Sequence, residues 1–213
     1  MAREVVSLAA RIHRTFGRVG ERGPTDGPPL MVLPGFVAND RTTLGLQRAF
    51  AAAGYRVTGW GQGLNRGVQA DTRERIVATL EAFGQGRPVT MVGWSLGGVY
   101  AREVAKVRPD LVEKVITLGS PFSGDLHNNN VWRLYELVAG HPVDRPPIDA
   151  VLGEKPPVPT LAIWSRADGA IAPAAARGES HESDRQLELT CTHMGFAVSR
   201  RACREIVAAV RDF

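Results

Sequence analysis

The stretch Gly93-Trp94-Ser95-Leu96-Gly97 constrains the fold of this chain more than any other feature of its sequence. A short β-branched run precedes it and a helical pattern follows at once, so the serine occupies a tight turn between a strand and a helix. Such a turn strains the backbone of the serine and brings another segment close, which is why glycine stands two residues before and after it. The helix N-terminus favours negative charge beside the serine. The pattern predicts a nucleophile; a glycine-rich turn without chemistry is the alternative.

Composition sets the broad class of the protein. The chain has 213 residues, of which 44% are hydrophobic and 23% charged, as in a globular protein with a full-sized core, so we predict one domain over residues 1–213. The formal net charge is +4 and no aromatic-basic stripe accompanies the arginines, so we expect no nucleic-acid partner. Two cysteines, Cys191 and Cys203, exclude a disulfide framework and leave either one bridge or two buried thiols.

The N-terminal residues 1–28 are predicted to form an amphipathic helix over 3–18, followed by a turn-rich loop. We expect the apolar face of this helix to pack on the rest of the domain, and membrane contact is the alternative. No apolar run in the sequence is long enough to span a bilayer, and the N-terminal one is broken too early for a signal peptide. These features predict a cytoplasmic protein, with an interfacial helix or an export presequence as the other interpretation.

Strands and helices alternate along the remaining chain. Asn39 or Asp40 is expected to cap the first helix of this region, and Asp71 or Thr72 the second. The alternation predicts an α/β fold, with a mostly parallel central sheet and helices on both faces. Besides the strand before Ser95, we predict strands over 30–33, 55–60, 114–119, 160–165 and 185–190, and a last helix from Ala197 or Ser199 to the C-terminus.

A long proline-rich stretch, 120–159, interrupts this alternation. It leaves the carboxyl end of a strand, the face on which open α/β sheets bind ligands, so we interpret it as a short cap or lid insertion. Inside it, 131–138 has a helical pattern. Its residues Trp132 and Tyr135 either line a substrate pocket or anchor the cap.

A serine hydroxyl needs a base within hydrogen-bond reach, and an acid that orients this base. His193 follows the last predicted strand, where a loop can reach over the carboxyl edge of the sheet, whereas His181 precedes that strand. Asp168 follows the preceding strand by a tight turn, and its alternative role is to bind its own turn backbone. We therefore predict the triad Ser95, Asp168 and His193.

Ester cleavage through a tetrahedral intermediate also needs N–H donors for the oxyanion. Leu96 directly follows the serine and supplies one backbone N–H. The loop after the first core strand, Leu33-Pro34-Gly35-Phe36, supplies the second. Pro34 has no N–H and Gly35 lets the backbone turn inwards, so Phe36 is the candidate. The alternative is a tight strand-to-helix turn with no such role.

The order of these features along the chain resembles that of the α/β-hydrolase family, in particular its small serine esterase and lipase branch. The features are the loop after the first core strand, the serine motif, Asp168 and His193. The resemblance runs from Leu30 to the C-terminus. It implies a serine hydrolase that cleaves small-molecule or lipid-like carboxylic esters through an acyl-enzyme, without cofactor or metal. The chain departs from many members in having Pro34-Gly35 in place of His-Gly, and Trp94 where histidine often precedes the serine. Trp94 is a further candidate for the substrate pocket.

Two other functions remain open at the level of sequence. The same triad serves acyltransferases and thioesterases, which differ in pocket shape. A silent binding module on this scaffold is the alternative from another class. The glycine-rich loop 59–67 lacks both the dinucleotide and the P-loop pattern, so we expect it to shape one wall of the cleft.

Overall fold

Six parallel strands form one sheet in the part of the chain that this computed structural model describes, residues 21–124 and 152–213. The strand order is β2-β1-β3-β4-β5-β6. The mostly parallel sheet that the sequence predicts is thus confirmed. The strands are β1 (Pro29–Leu33), β2 (Arg56–Gly59), β3 (Val89–Trp94), β4 (Val112–Leu118), β5 (Thr160–Trp164) and β6 (Arg185–Glu188).

Helices connect these strands, as the alternation predicts. One of them, Pro173–Arg177, was not expected, because five residues are too few to show a helical period. The described helices are α1 (Leu44–Ala52), α2 (Thr72–Gly84), α3 (Leu96–Val107), a 3₁₀ turn at Pro109–Leu111, α4 (Pro173–Arg177), α5 (Gly195–Val198) and α6 (Arg200–Arg211).

Both faces of the sheet are covered, and successive side chains of each strand enter opposite cores. In β1, Leu30 and Val32 join one cluster, while Met31 and Leu33 join the other. This is the alternation of side chains expected along a strand, here apolar on both sides because helices cover each face. α1 and α6 pack on the first face through Leu46, Phe50, Ile206 and Val210, and α2 and α3 on the second through Ile76, Leu80, Tyr100 and Val104.

The predicted capping residues of α1 are wrong. The helix starts after Thr43, and no side chain caps its end. Asn39 instead accepts from the N–H groups of Arg41 and Thr42, in a local turn. Asp40 accepts from Trp60 N at 2.9 Å and from Gly61 N at 3.1 Å, which ties the loop after β1 to the loop after β2.

Asp71 occupies the N-cap position of α2, as predicted, but its side chain makes no capping bond. Thr72 instead accepts from Gln69 N at 2.8 Å. At the C-terminus, the last helix begins at the second of the two predicted starts, Ser199, and the short helix α5 precedes it. Ser199 is the N-cap of α6 and accepts from Ala202 N.

Several sequence predictions lie outside the described residues. These are the helix at 3–18 and the part of the predicted cap that contains Trp132 and Tyr135. Within 21–124 and 152–213, none of the helices has both the length and the apolar composition that crossing a bilayer requires. Cys191 and Cys203 are free thiols, of which Cys203 is buried and Cys191 partly buried.

The register of the parallel strands brings their carboxyl ends to one edge of the sheet. Leu33 lies opposite Gly93, Trp94 opposite Leu118, and Trp164 opposite Glu188. The loops that carry Phe36, Ser95, Asp168 and His193 therefore all leave the sheet at this edge.

Candidate active site

Ser95 forms the turn between β3 and α3 in a conformation that non-glycine residues rarely adopt. Its φ is 55° and its ψ is −125°, and only 7% of the residue is exposed. A Cβ at Gly93 would collide with the backbone of Gly97, and a Cβ at Gly97 would collide with the carbonyl of Leu33. The strained turn and its two glycines agree with what the sequence predicts.

The structure brings His193 and Asp168 together. His193 Nδ1 lies 2.8 Å from Asp168 Oδ2, and the carboxylate side chain is 1% exposed. Asp168 Oδ1 accepts from the N–H groups of Ala170 at 2.8 Å and Ile171 at 2.9 Å. The turn contacts that the sequence offered as an alternative thus coexist with the histidine contact, since each uses a different oxygen. Together they fix the carboxylate, which leaves Nε2 as the ring nitrogen not engaged by Asp168.

Glycine is needed behind this carboxylate as well. Gly119 follows β4 with a φ of 54°, and a Cβ there would lie 2.8 Å from both Asp168 Oδ2 and the ring of Phe196. Any larger residue there would force Asp168 or Phe196 to move. The sequence marks this glycine only as the end of a strand.

Trp94 links the serine turn to the histidine loop. Its indole Nε1 donates to the carbonyl oxygen of His193 at 3.0 Å, and the two ring centroids are 5.4 Å apart. Trp94 is 4% exposed and belongs to the core below the turn. The residue that replaces the histidine common in the resembled family therefore packs and donates a hydrogen bond at the same time.

Ser165 fixes the start of the histidine loop and was missed by sequence reasoning. Its hydroxyl donates to Cys191 O at 2.7 Å and accepts from Ala167 N at 3.1 Å. The acid loop and the base loop are thus joined by one buried side chain. The only signal for this in the sequence is a serine at the end of a predicted strand, and it is a weak one.

Cys191 lies close to the candidate acid. Burial and the charge of Asp168 raise the pKa of its thiol to about 11. At neutral pH the thiol is protonated and adds no charge beside the His193–Asp168 pair.

The loop after β1 passes beside Ser95. A Cβ at Gly35 would lie 3.0 Å from Ser95 Cβ and 3.2 Å from the indole ring of Trp94. Phe36, the candidate oxyanion donor, comes next and is partly buried, and Val37 follows at a φ of 55°. Leu96, the other candidate, is the first residue of α3, so its N–H belongs to a helix N-terminus.

Asn65 is a second functional candidate that sequence reasoning missed. It is completely buried, in a loop that the sequence presents as polar and glycine-rich. Its Nδ2 donates to Pro34 O at 2.9 Å, and its backbone bonds to Val37 and Ala38. The loop 59–67 thus contacts the loop after β1 through a buried asparagine.

The same loop also lines a cavity of about 460 Å³ beside the N-terminus of α2. The wall of this cavity includes Trp60, Gln62, Leu64 and Arg66.

Among the described residues, no three His, Cys, Asp or Glu side chains are grouped so that they could hold a metal ion. His181, the weaker candidate base, is exposed.

Comparison with known proteins agrees with this architecture. A putative lipase from Acinetobacter baumannii superposes with a TM-score of 0.70 at 15% identity, covering 90% of this chain and 86% of its own. A putative aryl esterase from Burkholderia cenocepacia gives 0.61 at 16%, covering 90% and 93%. The thioesterase domain from the curacin biosynthetic pathway gives 0.60 at 14%, covering 88% and 93%. At these identities the likeness shows the fold.

The family assignment rests on the sequence. No match was found among curated proteins. The family model described as the alpha/beta hydrolase fold matches residues 28–141, more than half of the chain. The chain therefore belongs to the α/β-hydrolase family.

Proposed function

We propose that this hydrolase cleaves carboxylic esters through Ser95, His193 and Asp168. The observation that carries the proposal is the 2.8 Å contact between His193 Nδ1 and the buried Asp168 carboxylate. A histidine held in this way has one defined tautomer and a stabilised imidazolium form, as a general base requires. The strained serine turn at the same edge of the sheet supplies the nucleophile.

The proposed reaction has two halves. His193 Nε2 takes the hydroxyl proton as Ser95 Oγ attacks the ester carbonyl carbon. The N–H groups of Phe36 and Leu96 bind the oxyanion of the tetrahedral intermediate. The C–O bond then breaks, and the alcohol leaves with the proton from His193. Water activated by the same histidine attacks the acyl-enzyme and releases the acid and Ser95.

Apolar side chains next to the proposed catalytic residues favour an ester with an apolar acyl or alcohol group. Val37 follows Phe36 and Met194 follows His193, and each is 47% exposed. An exposed apolar residue next to a catalytic group can contact the apolar part of a ligand. Trp132 and Tyr135 remain candidates for the same pocket, whereas Trp94 is 4% exposed and packs in the core, so it offers a substrate little surface. A small-molecule or lipid-like ester is the substrate class that these residues suit.

The test is hydrolysis of p-nitrophenyl esters from acetate to palmitate. We expect Ser95→Ala and His193→Ala to lose activity by about a thousandfold or more, since triad members act as a unit. His181→Ala is the matched control, because His181 is an exposed histidine outside the triad, and it should keep wild-type activity.

Two results would contradict the proposal. In the first, Ser95→Ala hydrolyses the esters at the wild-type rate, which would show that Ser95 is not the nucleophile. Alternatively, wild type could turn over thioesters or transfer the acyl group to an added alcohol while leaving the esters intact in water. The second result would replace ester hydrolysis by a thioesterase or acyltransferase activity of the same triad.

A further inference from the structure

We propose that Asn65 is a positioning residue that holds the loop 34–38 so that Phe36 N–H can bind the oxyanion. This inference rests on the proposed function, and it assigns a role in that reaction to a residue outside the triad. Its basis is a set of hydrogen bonds from Asn65 to the residues that precede and follow Phe36.

Asn65 contacts the loop on both sides of Phe36. Before it, Asn65 Nδ2 donates to Pro34 O at 2.9 Å. After it, the backbone carbonyl of Asn65 accepts from Val37 N, and its N–H donates to Ala38 O, each at 2.8 Å. One buried residue thus fixes the carbonyl direction before Phe36 and the peptide groups after it.

The other end of the Asn65 side chain reaches the helix that follows the nucleophile. Asn65 Oδ1 accepts from the Tyr100 hydroxyl at 3.0 Å and from Gly67 N at 3.1 Å. Tyr100 belongs to α3, is 2% exposed, and stacks on Trp60 with ring centroids 6.5 Å apart. Asn65 therefore sets the loop relative to α3, which has Ser95 as its N-cap residue and Leu96 as its first residue.

The loop needs such support because its conformation is unfavourable by itself. Val37 is a β-branched residue with a φ of 55°, a strain of about 1–3 kcal/mol that its surroundings must offset. If it relaxed, the Phe36–Val37 segment would rotate. A displacement of about 1 Å at a catalytic group can cost about a hundredfold in rate.

Asparagine suits this place chemically because one planar amide supplies a donor for Pro34 O and an acceptor for Tyr100. A carboxylate has the same shape but no donor, so it would set an oxygen against the Pro34 carbonyl. Asn65→Asp therefore removes one bond of the network with no change in side-chain volume.

The experiment compares the steady-state kinetics of Asn65→Asp and Tyr100→Phe with wild type on the best p-nitrophenyl ester. We expect Asn65→Asp to lower kcat by about 10- to 100-fold and to change KM less than threefold. This is less than the roughly 100- to 1,000-fold typical of losing an oxyanion donor, because the Phe36 N–H is displaced and not removed. Tyr100→Phe removes only the hydroxyl and should lower kcat severalfold. Tyr100→Phe therefore still tests the inference if Asn65→Asp folds poorly.

A second readout separates positioning from loss of structure. A trifluoromethyl ketone forms a hemiketal oxyanion on the serine, so its Ki should rise in parallel with the loss in kcat/KM. Gln47→Met is the matched control: Gln47 is 2% exposed and donates to Asp40 O and to Thr43 Oγ1, each at 3.0 Å. We expect it to lower stability without changing kcat or Ki.

The inference is overturned if both Asn65→Asp and Tyr100→Phe keep wild-type kcat, or if Gln47→Met lowers kcat as much as they do. Ser95→Ala keeps the two proposals apart. If Ser95→Ala is inactive and the Asn65 and Tyr100 variants are not slowed, only the role of Asn65 falls. If Ser95→Ala is fully active, the proposed function falls, and the role of Asn65 falls with it.

Discussion

At the scale of single residues, the acid is held more firmly than the base. Asp168 has a side chain that is 1% exposed and accepts three hydrogen bonds, whereas the His193 side chain is 17% exposed and rests on Trp94. A fixed acid with a more accessible base suits a histidine that must exchange protons with the serine, the leaving group and water.

Asp168→Asn tests the orientation of the base. The amide oxygen can keep the bonds from Ala170 and Ile171, but the amide nitrogen then faces His193 Nδ1 and imposes the wrong tautomer. We expect kcat to fall by about 10³- to 10⁴-fold, as for the acid of a serine protease triad, with a Tm close to that of wild type. Ester hydrolysis and a thermal melt check this.

Asp212→Asn is the control for that variant, since Asp212 is an exposed carboxylate at the C-terminus of α6. It should leave kcat unchanged. An Asp168→Asn enzyme within tenfold of wild-type kcat would show that Asp168 does not orient the base.

At the scale of helices and strands, the sequence predicts those features whose determining residues lie close together along the chain. The strands were found because their side-chain pattern is local, and the candidate acid and base were found because each follows a strand. The caps of α1 were mispredicted because Asp40 bonds to Trp60 and Gly61, which lie far along the chain. Asn65 was missed for the same reason: its partners Pro34 and Tyr100 are distant in sequence.

Ser199 provides a test at this scale, because its side chain caps α6 by accepting from Ala202 N at 3.4 Å. We expect Ser199→Ala to lower the free energy of unfolding by about 1 kcal/mol, the usual cost of a lost N-cap. Urea denaturation followed by circular dichroism measures it. Ser180→Ala, at an exposed turn, should change stability by less than about 0.5 kcal/mol. Equal stability of the two variants would contradict the capping role.

At the scale of the whole molecule, one buried cation joins segments that are far apart in the chain. Arg102 of α3 is 2% exposed, and its Nη2 donates to Gly153 O, Glu154 O and Glu182 O at 3.0–3.3 Å. Its guanidinium lies 4.1 Å from the ring centroid of Phe122. Burial lowers the pKa of Arg102 to about 10, so it stays charged at neutral pH.

Arg102→Met should destabilise the fold by about 3 kcal/mol, because three carbonyls lose their donor, two of them in buried hydrogen bonds, and Phe122 loses its cation. Arg102→Lys should lie between Met and wild type, since an ammonium keeps the charge without the planar fork. Urea denaturation at pH 7 checks both values.

Arg201→Met is the matched control, because Arg201 has a 77% exposed side chain and pairs only at the surface with Glu205. We expect Arg201→Met to change the free energy of unfolding by less than about 0.5 kcal/mol. If Arg102→Met lowered the free energy of unfolding as little as Arg201→Met, Arg102 would not hold these segments together.

The two exposed apolar residues beside the site suggest where substrate preference could be re-engineered. Val37 and Met194 adjoin Phe36 and His193 in the chain, yet each residue is 47% exposed and lies outside the core. A mutant library at these two positions would vary the surface offered to an acyl chain and leave Asn65, Trp94 and Ser165 in place. Selection for new substrates could therefore begin at Met194, and at Val37 with residues that tolerate its φ of 55°.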